Sequence, residues 1–302
     1  MQSWRGSPLV AVVLIAPAVL WLLAFFLVPL GYIWLFSFGE QTGPVAIELT
    51  WTLDNYRAAL SELYLGLFGK SLLIAGIATA LVLIIAFPVA FAVTFASPGL
   101  KPWLLLLVVL PFWTNMLVRT YAMIAVLRRT GYANYSLEQL WTVAASVLQP
   151  FGLAGVLGER FVPPDLLYNN TAVVLGIVYV YLPFMVLPLY AALERLDRSL
   201  LEASLDLGAS QLRTFFTITV PLAVPGIVSG VMLVFIPAMG TFLISDLLGG
   251  PDSLLLGNVI ERQFKAANNW PLGAAMSFLL LYVTFALLLL RAWFAGRDRA
   301  HG

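Results

Sequence analysis

The sequence predicts an all-α fold: a polytopic membrane helical bundle of about six transmembrane helices, in a single domain that covers residues 1–302. Composition and apolar patterning carry this prediction. Hydrophobic residues make up 61% of the chain, charged residues only 10%, and the mean hydropathy is +0.95. A soluble domain has roughly 25% charged residues, and a chain of this size could not hide so much apolar surface from water. The bilayer is therefore the expected solvent.

Six apolar runs are each long enough to cross a bilayer, which takes about 20 mostly apolar residues. They lie at about 9–37, 71–96, 103–126, 171–191, 221–247 and 271–293. The first run is about twice as long as the apolar region of a secretory signal, so we expect a retained helix rather than a cleaved peptide. Prolines within the runs are compatible with spans, because neighbouring helices satisfy the backbone groups that a kink frees.

Two segments between the runs carry separate expectations. Residues 39–70 are polar enough for a short external domain, in which residues 52–56 form a strand or turn leading into a helix. Residues 137–158 are moderately apolar but interrupted by Gln149-Pro150 and several glycines. If this segment spanned the membrane, the count would be seven and the chain ends would lie on opposite sides. We favour an interfacial or external position for it.

Composition also excludes several function classes. The net charge of +1 provides no basic field that would attract nucleic acid. The chain has no cysteine, so disulfides, thiolate nucleophiles and Cys-based metal sites are excluded. The single histidine, His301, lies beside the C-terminus and is expected to be a solvated tail residue. We therefore predict no catalytic residue and no metal site.

The distribution of positive charge predicts that both termini are cytoplasmic. This orientation puts residues 1–8, 97–102, 192–222 and 291–302 on the inner side of the membrane. These short segments carry eight Lys or Arg residues, and the rest of the chain carries eight as well. The raw count is a tie, but positive charge is denser in the short inner segments, as the positive-inside rule requires.

The segment 193–222 has the pattern of a helix, a turn and a second helix. Its first part spaces apolar residues three and four apart, which gives one stripe on a helix, at Leu193, Leu196, Leu200, Ala203 and Leu207. Ser199 followed by Glu202 predicts a capping box, and Gly208 predicts a left-handed stop. Ser210 is placed to cap a second short helix that runs toward Pro221. A simple connection needs only a few residues, so this segment is expected to dock a soluble partner.

The same segment resembles the EAA motif of ABC-importer permeases, which reads Glu-Ala-Ala, three residues, Gly, nine residues and Ile-x-Leu-Pro. The matching residues are Glu202, Ala203, Ser204, Gly208, Ile218, Val220 and Pro221. All spacings match, with Ser204 in place of the second alanine and Val220 in place of leucine. The resemblance implies a permease core at about 70–293 with a coupling loop at 192–222. This loop would sit in a cleft of an ATP-hydrolysing subunit. The resemblance assigns Glu202, Ala203, Ser204, Gly208 and Pro221 to that coupling.

The resemblance also implies the surroundings of the chain. Its partners would be two ATPase subunits that bind ATP and Mg, a second and similar permease subunit in a heterodimer, and an extracytoplasmic substrate-binding protein. The location would be the bacterial inner membrane. This chain would bind no cofactor and catalyse no covalent chemistry. Gly69-Lys70-Ser71 looks like the end of a P-loop, but the first glycine of that motif falls on Tyr64 and no strand precedes it.

Three further strings resemble spermidine/putrescine permeases, and they imply a polyamine cargo. They lie at 111–121, 181–190 and 245–250, with Ile260 and Gln263-Phe264 after the last. Permeases for another small amine, an opine or an ion share parts of these strings, so those cargoes stay open. A first rival class is a secondary transporter, which would need carboxylates at mid-membrane, and the runs have essentially none beyond their ends. A second rival class is a membrane-embedded enzyme, but the sequence has no HExxH motif, no cysteine nucleophile and no paired intramembrane aspartates.

A polyamine path needs carboxylates for ammonium groups and aromatic faces for cation–π contacts. Asp246, near the outer end of the fifth run, is the best acidic candidate, and Trp113, Tyr179 and Tyr181 could supply aromatic faces. Helix-end Asp and interfacial aromatic residues are also ordinary in membrane proteins. Arg119, within the third run, would repel a polyamine. We therefore predict either a gate or path residue there, or a structural ion pair or a side chain that reaches the outer face.

Overall fold

The structure, a computed structural model, describes residues 8–43, 46–148, 150 and 160–300. Within these residues the regular structure is helical apart from one pair of short strands. The elements are α1 (Pro8–Leu22), α2 (Val28–Phe36), β1 (Gly39–Gln41), β2 (Ile47–Leu49), α3 (Asp54–Ala59), α4 (Glu62–Phe95), α5 (Lys101–Val109), α6 (Met116–Leu127), α7 (Tyr132–Leu148), α8 (Asn170–Leu193), α9 (Arg198–Asp206), α10 (Gln211–Thr214), α11 (Val220–Met239), α12 (Leu243–Leu248), α13 (Leu256–Lys265) and α14 (Trp270–Ala300). Two π turns, Leu23–Leu27 and Phe215–Thr219, join α1 to α2 and α10 to α11.

The chain divides into two compact units, and the first contains the residues up to Leu65 together with those from Val259 onward. In it, α14 packs against α2 and α3. The strands β1 and β2 pair antiparallel, with Gly39 opposite Leu49. Asn55 of α3 donates a hydrogen bond to the Gly39 carbonyl oxygen at 2.7 Å and so fixes this hairpin to the short helix. The predicted turn leading into a helix therefore exists.

The second unit runs from Gly66 to Asn258 and contains the most buried helix, α8. Its central contact is the packing of α11 on α8, and α12 packs against both α8 and α6. At Gly176 of α8, an added Cβ would lie 2.7 Å from a side-chain carbon of Ile244, so the glycine allows α12 to approach closely. This unit carries every residue proposed from the sequence for coupling or for the substrate path.

Five described helices are long and apolar enough to cross a membrane: Val12–Phe36, Glu62–Phe95, Asn170–Leu193, Gln211–Met239 and Trp270–Leu289. A sixth candidate is the pair Lys101–Trp113 and Met116–Leu148, which is bent by 95° at its break. The prediction of an all-α bundle with about six spans is therefore confirmed. The predicted external segment is shorter than expected, because α4 begins at Glu62.

The third run was predicted as one helix over 103–126, and this was wrong. The helix tightens into a 3-10 turn over Leu110–Trp113, and Thr114 then has an extended backbone. Asn115 starts α6 by accepting a hydrogen bond from the Leu117 backbone N–H at 2.8 Å. Pro111 has no N–H to give to a helix, and an asparagine cap favours a new start. Apolar composition alone does not reveal such a break.

The prediction for the fifth run, 221–247, was also wrong at its C-terminal end, because it extended beyond the observed helix. The helix stops at Met239, and residues 243–248 form the separate helix α12. Asp246 therefore lies on a short helix after the span and not at the end of the span itself. At the other end, the π turn Phe215–Thr219 extends the span back to Gln211.

The ambiguous segment 137–158 is described only in part. Its first residues belong to α7, which starts earlier than expected at Tyr132 and continues to Leu148. Residues 149 and 151–159 lie outside the described part of the chain. The interfacial or external position of this segment stays a prediction.

Gly226 and Gly230 form a GxxxG pattern, which in membrane helices indicates close packing. An added Cβ at Gly226 would lie 2.8 Å from the Pro188 carbonyl oxygen and 2.5 Å from the Ala192 Cβ. One at Gly230 would collide with the sulfur of Met185. Both glycines therefore serve the packing of α11 on α8 within this chain.

We expect Gly226→Ala to lower the thermal midpoint of the purified protein in detergent clearly more than Gly230→Ala does. A backbone carbonyl faces the new methyl group at Gly226, whereas a flexible thioether faces it at Gly230 and can move aside. Overpacking of this kind costs about 1–3 kcal/mol. Gly76→Ala on α4 is the matched control, because nothing lies within 4 Å of its added Cβ. Equal midpoints for Gly226→Ala and Gly76→Ala would contradict this packing.

Candidate coupling loop and substrate path

The first loop helix, α9, is capped by Asp197. Its carboxylate accepts a hydrogen bond from the Ser199 backbone N–H at 3.0 Å, and this bond lowers the pKa of Asp197 below its ordinary value. The predicted capping box of Ser199 and Glu202 is therefore wrong, because the helix begins earlier, at Arg198. Glu202 is left exposed on α9, and no ion pair among the described residues includes it. Its carboxylate is available to a partner.

The turn after α9 depends on Gly208, as predicted. Its φ is +82°, in the left-handed region that favours glycine. The turn is closed by backbone hydrogen bonds from Gly208 to the Leu205 carbonyl at 2.9 Å and from Ala209 to the Ser204 carbonyl at 3.1 Å. An added Cβ at Gly208 would meet nothing within 4 Å. The requirement for glycine here is therefore one of backbone conformation and not of space.

The second loop helix, α10, is capped by Ser210, also as predicted. The Ser210 hydroxyl accepts a hydrogen bond from the Arg213 backbone N–H at 3.3 Å. A bond of 2.9 Å between the hydroxyls of Ser204 and Thr214 ties α9 to α10. Ser204, which replaces the second alanine of the EAA motif, thus holds the two helices together. The loop is a preformed helix-turn-helix unit.

A groove of about 380 Å³ lies on this unit. Its lining includes Ala203, Ser204, Gly208 and Arg213. Leu207 also lines this groove and is 88% exposed, so it offers an apolar surface at the turn. Pro221 is not part of the groove and instead lies in the first turn of α11. The structure thus brings four motif residues to one surface, Ile218 being the fourth, and places the proline at the start of the span.

Contacts that the sequence did not indicate attach this loop to the rest of the second unit. Lys101 and Glu194 form an ion pair with distances of 2.7 and 2.8 Å, which joins the start of α5 to the end of α8. The Arg198 guanidinium lies 5.3 Å from the centre of the Phe95 ring at the end of α4. The only signal in the sequence was the position of opposite charges just beyond the ends of the apolar runs.

The residues predicted for a substrate path do not form one cluster. Trp113 is 74% exposed and makes no ring contact among the described residues. Tyr179 lines an apolar groove of about 370 Å³ between α4, α5 and α8. Tyr181 contacts the ring of Phe184, which in turn contacts Phe112, with ring centres 5.9 and 5.3 Å apart. Only Tyr181 thus joins the group of side chains around Arg119.

Arg119 is almost completely buried, with 7% of its surface exposed. Its guanidinium carbon lies 6.0 Å from the centre of the Phe112 ring. The Nε and Nη1 atoms are buried without a hydrogen-bond partner among the described residues. The predicted structural ion pair is therefore not formed here, and burial excludes a side chain that reaches the outer face.

The residues that look like the end of a P-loop have a packing role. Gly69, Lys70 and Ser71 lie inside α4. The Lys70 ammonium donates to the Asp252 carbonyl oxygen, and the Ser71 hydroxyl accepts from the Leu256 backbone N–H at 2.8 Å. These contacts fix the segment after α12 to α4. Among the described residues, no group of three or more His, Cys, Asp or Glu side chains could hold a metal ion.

A family model described as "Binding-protein-dependent transport system inner membrane component" matches residues 5–299. The chain belongs to this family. The permease is thus a transport subunit and a multi-pass protein of the inner membrane, which agrees with its long apolar helices. The EAA-like motif predicted this family correctly.

Curated relatives extend over nearly the whole permease. The "Spermidine/putrescine transport system permease protein PotB" of Salmonella typhimurium (strain SL1344) is 41% identical over 285 residues, covering 94% of this chain and 93% of the relative. The protein of the same name from Escherichia coli (strain K12) is 41% identical over 277 residues, covering 92% and 94%. "Inner membrane ABC transporter permease protein YdcU" from Escherichia coli (strain K12) is 33% identical, covering 83% and 79%.

Solved structures share the fold of the permease. A bacterial ABC transporter involved in the import of the acidic polysaccharide alginate matches with a TM-score of 0.65 at 16% identity, over 94% of both chains. A bacterial alginate ABC transporter in complex with an alginate pentasaccharide-bound periplasmic protein matches with a TM-score of 0.61, also at 16% identity, over 92% and 91%. At this identity the likeness concerns the fold and not the cargo.

Proposed function

We propose that this permease is the membrane-spanning subunit of an ATP-driven importer for polyamines, spermidine and putrescine, which an extracytoplasmic binding protein delivers. The observation that carries the proposal is the 41% identity to spermidine/putrescine permeases over more than nine-tenths of both chains. Spans without a carboxylate at their centres also favour a pump driven by ATP over a transporter driven by an ion gradient.

The preformed loop supports coupling to a separate ATPase. Two ATPase subunits bind ATP and Mg, and one of them receives α9, the turn at Gly208 and α10 in a cleft. Exposed Glu202 and Leu207 supply a charge and an apolar contact for that cleft. Because α10 continues into α11, motion of the ATPase reaches the membrane directly.

The remaining parts of the assembly follow from the same proposal. A second, similar permease subunit pairs with this one as a heterodimer, and the binding protein docks on the outer side. Both termini lie in the cytoplasm, which puts the loop beside the ATPase. The density of Lys and Arg in the segments around the loop supports this orientation.

The function is tested by reconstituting the permease with its ATPase, second permease and binding protein in vesicles, and by following radiolabelled spermidine. We expect uptake that requires ATP on the ATPase side and persists when an uncoupler removes ion gradients. A vesicle preparation with inactive ATPase is the control. Uptake that survives ATP depletion but collapses with the uncoupler would assign the protein to the secondary transporters instead.

The Asp246 carboxylate is proposed to bind an ammonium group of the cargo at the end of α12. It is exposed, and α12 packs against the bent helix that carries Arg119. We expect Asp246→Asn to slow spermidine uptake severalfold without lowering the abundance of the complex, since a neutral amide cannot form a charge-assisted hydrogen bond. Asp252→Asn, an exposed acid in the following 3-10 turn, is the control. Equal uptake by both variants would remove Asp246 from the path.

A further inference from the structure

Two residues of opposite charge lie within the almost uncharged apolar runs of the permease. The six runs contain only three charged residues: Arg119, Asp246 and, at the inner end of the last run, Arg291. Charges in a membrane segment are costly to insert, so they persist where they have a use. Arg119 and Asp246 are the pair that needs an explanation.

No described residue gives Arg119 a counter-charge in this conformation. The side chain is 7% exposed, and its Nε and Nη1 atoms are buried without a hydrogen-bond partner among the described residues. The guanidinium lies over the Phe112 ring in a cation–π contact. A buried cation without a partner is among the most expensive arrangements in a protein. Another conformation that supplies a carboxylate would lower that cost.

The chain carries such a carboxylate on a neighbouring helix. Asp246 lies on α12, which packs directly against α6, the helix of Arg119. Its side chain is exposed, on the face of α12 opposite the buried Ile244, Ser245 and Leu248, and no ion pair among the described residues includes it. A pair with Arg119 therefore requires α12 to turn. Both helices follow a break in a span, at Thr114 for α6 and at Gly240 for α12. Such breaks are where a transporter bends.

We propose that Arg119 is a tethered cation that pairs with the carboxylate of Asp246 in a second, closed conformation of the path, and that the ammonium groups of the cargo displace it. The proposal rests on the proposed polyamine function. In the closed conformation the pair neutralises both charges. A polyamine carries several ammonium groups and competes for Asp246, after which Arg119 withdraws to the buried position that it occupies here.

The test is equilibrium binding of radiolabelled spermidine to the purified complex of both permeases and the ATPase, without binding protein. Removal of the competitor by Arg119→Gln is expected to tighten binding, by roughly fivefold for an ion pair at a wet site. Arg119→Lys keeps the charge and is expected to bind as the unchanged protein does. In the Asp246→Asn background, Arg119→Gln is expected to have no effect, because the shared carboxylate is gone.

Two results would overturn the proposal. Unchanged or weaker binding in Arg119→Gln would mean that Arg119 does not compete with cargo. If Arg119→Gln tightens spermidine binding equally in the Asp246→Asn background, Arg119 simply repels the cargo and does not pair with Asp246. Either result leaves ATP-dependent spermidine uptake by the unchanged importer intact, so a failure of the pair is distinguishable from a failure of the proposed function.

A second measurement covers the case in which Arg119→Gln does not assemble. Arg119→Asp turns the proposed pair into two acids that repel each other and is expected to reduce recovery of the complex. Adding Asp246→Arg exchanges the two charges and is expected to restore recovery. A double variant that recovers no better than Arg119→Asp alone would also overturn the proposed pair.

Discussion

Replacing Gly208 by valine is expected to leave ATP hydrolysis in place and to abolish most polyamine uptake. The glycine has φ +82°, and left-handed backbone costs an ordinary residue roughly 1–2 kcal/mol, with more for a β-branched one. The loop can relieve this strain only by changing the turn between α9 and α10. Because nothing surrounds the missing Cβ, the variant is not expected to disturb packing elsewhere in the described part of the chain.

The measurement is the ratio of spermidine transported to ATP hydrolysed in reconstituted vesicles. We expect that ratio to fall by about tenfold, because a β-branched residue at this φ is at the upper end of the 1–2 kcal/mol range, and about 1.4 kcal/mol changes the population of the native turn tenfold. Gly208→Asn is the variant to compare with Gly208→Val, because asparagine tolerates the left-handed region and should keep most of the uptake. Gly99→Val, at an exposed glycine with open space around it and without a positive φ, controls for valine itself. A normal ratio in Gly208→Val would remove this turn from the mechanism.

Reversing the charge of Glu202 is expected to release the ATPase subunit from the permease. Glu202 is exposed on α9 and takes no part in capping that helix, because Asp197 does so. Glu202→Arg is therefore expected to leave the loop folded while it replaces the proposed attractive contact with a repulsive one. Truncating or reversing a charge at an interface costs about 2–5 kcal/mol when the contact is buried in the complex.

Co-purification of the ATPase with affinity-tagged permease measures this effect, and membrane abundance of the permease is followed in parallel. We expect the ATPase yield to fall by tenfold or more, with Glu202→Gln intermediate. Asp252→Arg makes the same change of charge outside the loop and should retain the ATPase. Full retention of the ATPase by Glu202→Arg would contradict docking at this residue.

The sequence predicted local features of the loop well, because they depend on residues a few positions apart. Gly208 and Ser210 each determine their own turn or cap, and both behave as expected. The capping box failed for a related reason. Asp197 and Ser199 are both good caps two residues apart, and the pattern alone does not say which one the helix uses.

Features that join distant parts of the chain could not be predicted in this way. Lys101 and Glu194 are 93 positions apart, and only folding reveals that the two residues meet. The breaks at Thr114 and Gly240 occur within continuous apolar runs, where hydropathy gives no signal. For the same reason Asp246 was assigned to a span, and its place on a separate helix beside α6 emerged only from the structure.

The π turn over Phe215–Thr219 has a mechanical consequence. Because of this turn, residues Gln211–Met239 form one continuous helix of 29 residues, with no flexible linker between α10 of the loop and the span. At 1.5 Å per residue that helix is about 43 Å long, close to the thickness of a bilayer with its headgroups. A tilt of a few degrees imposed at Gln211 would therefore shift the far end by several ångströms, without any signal passing through side chains.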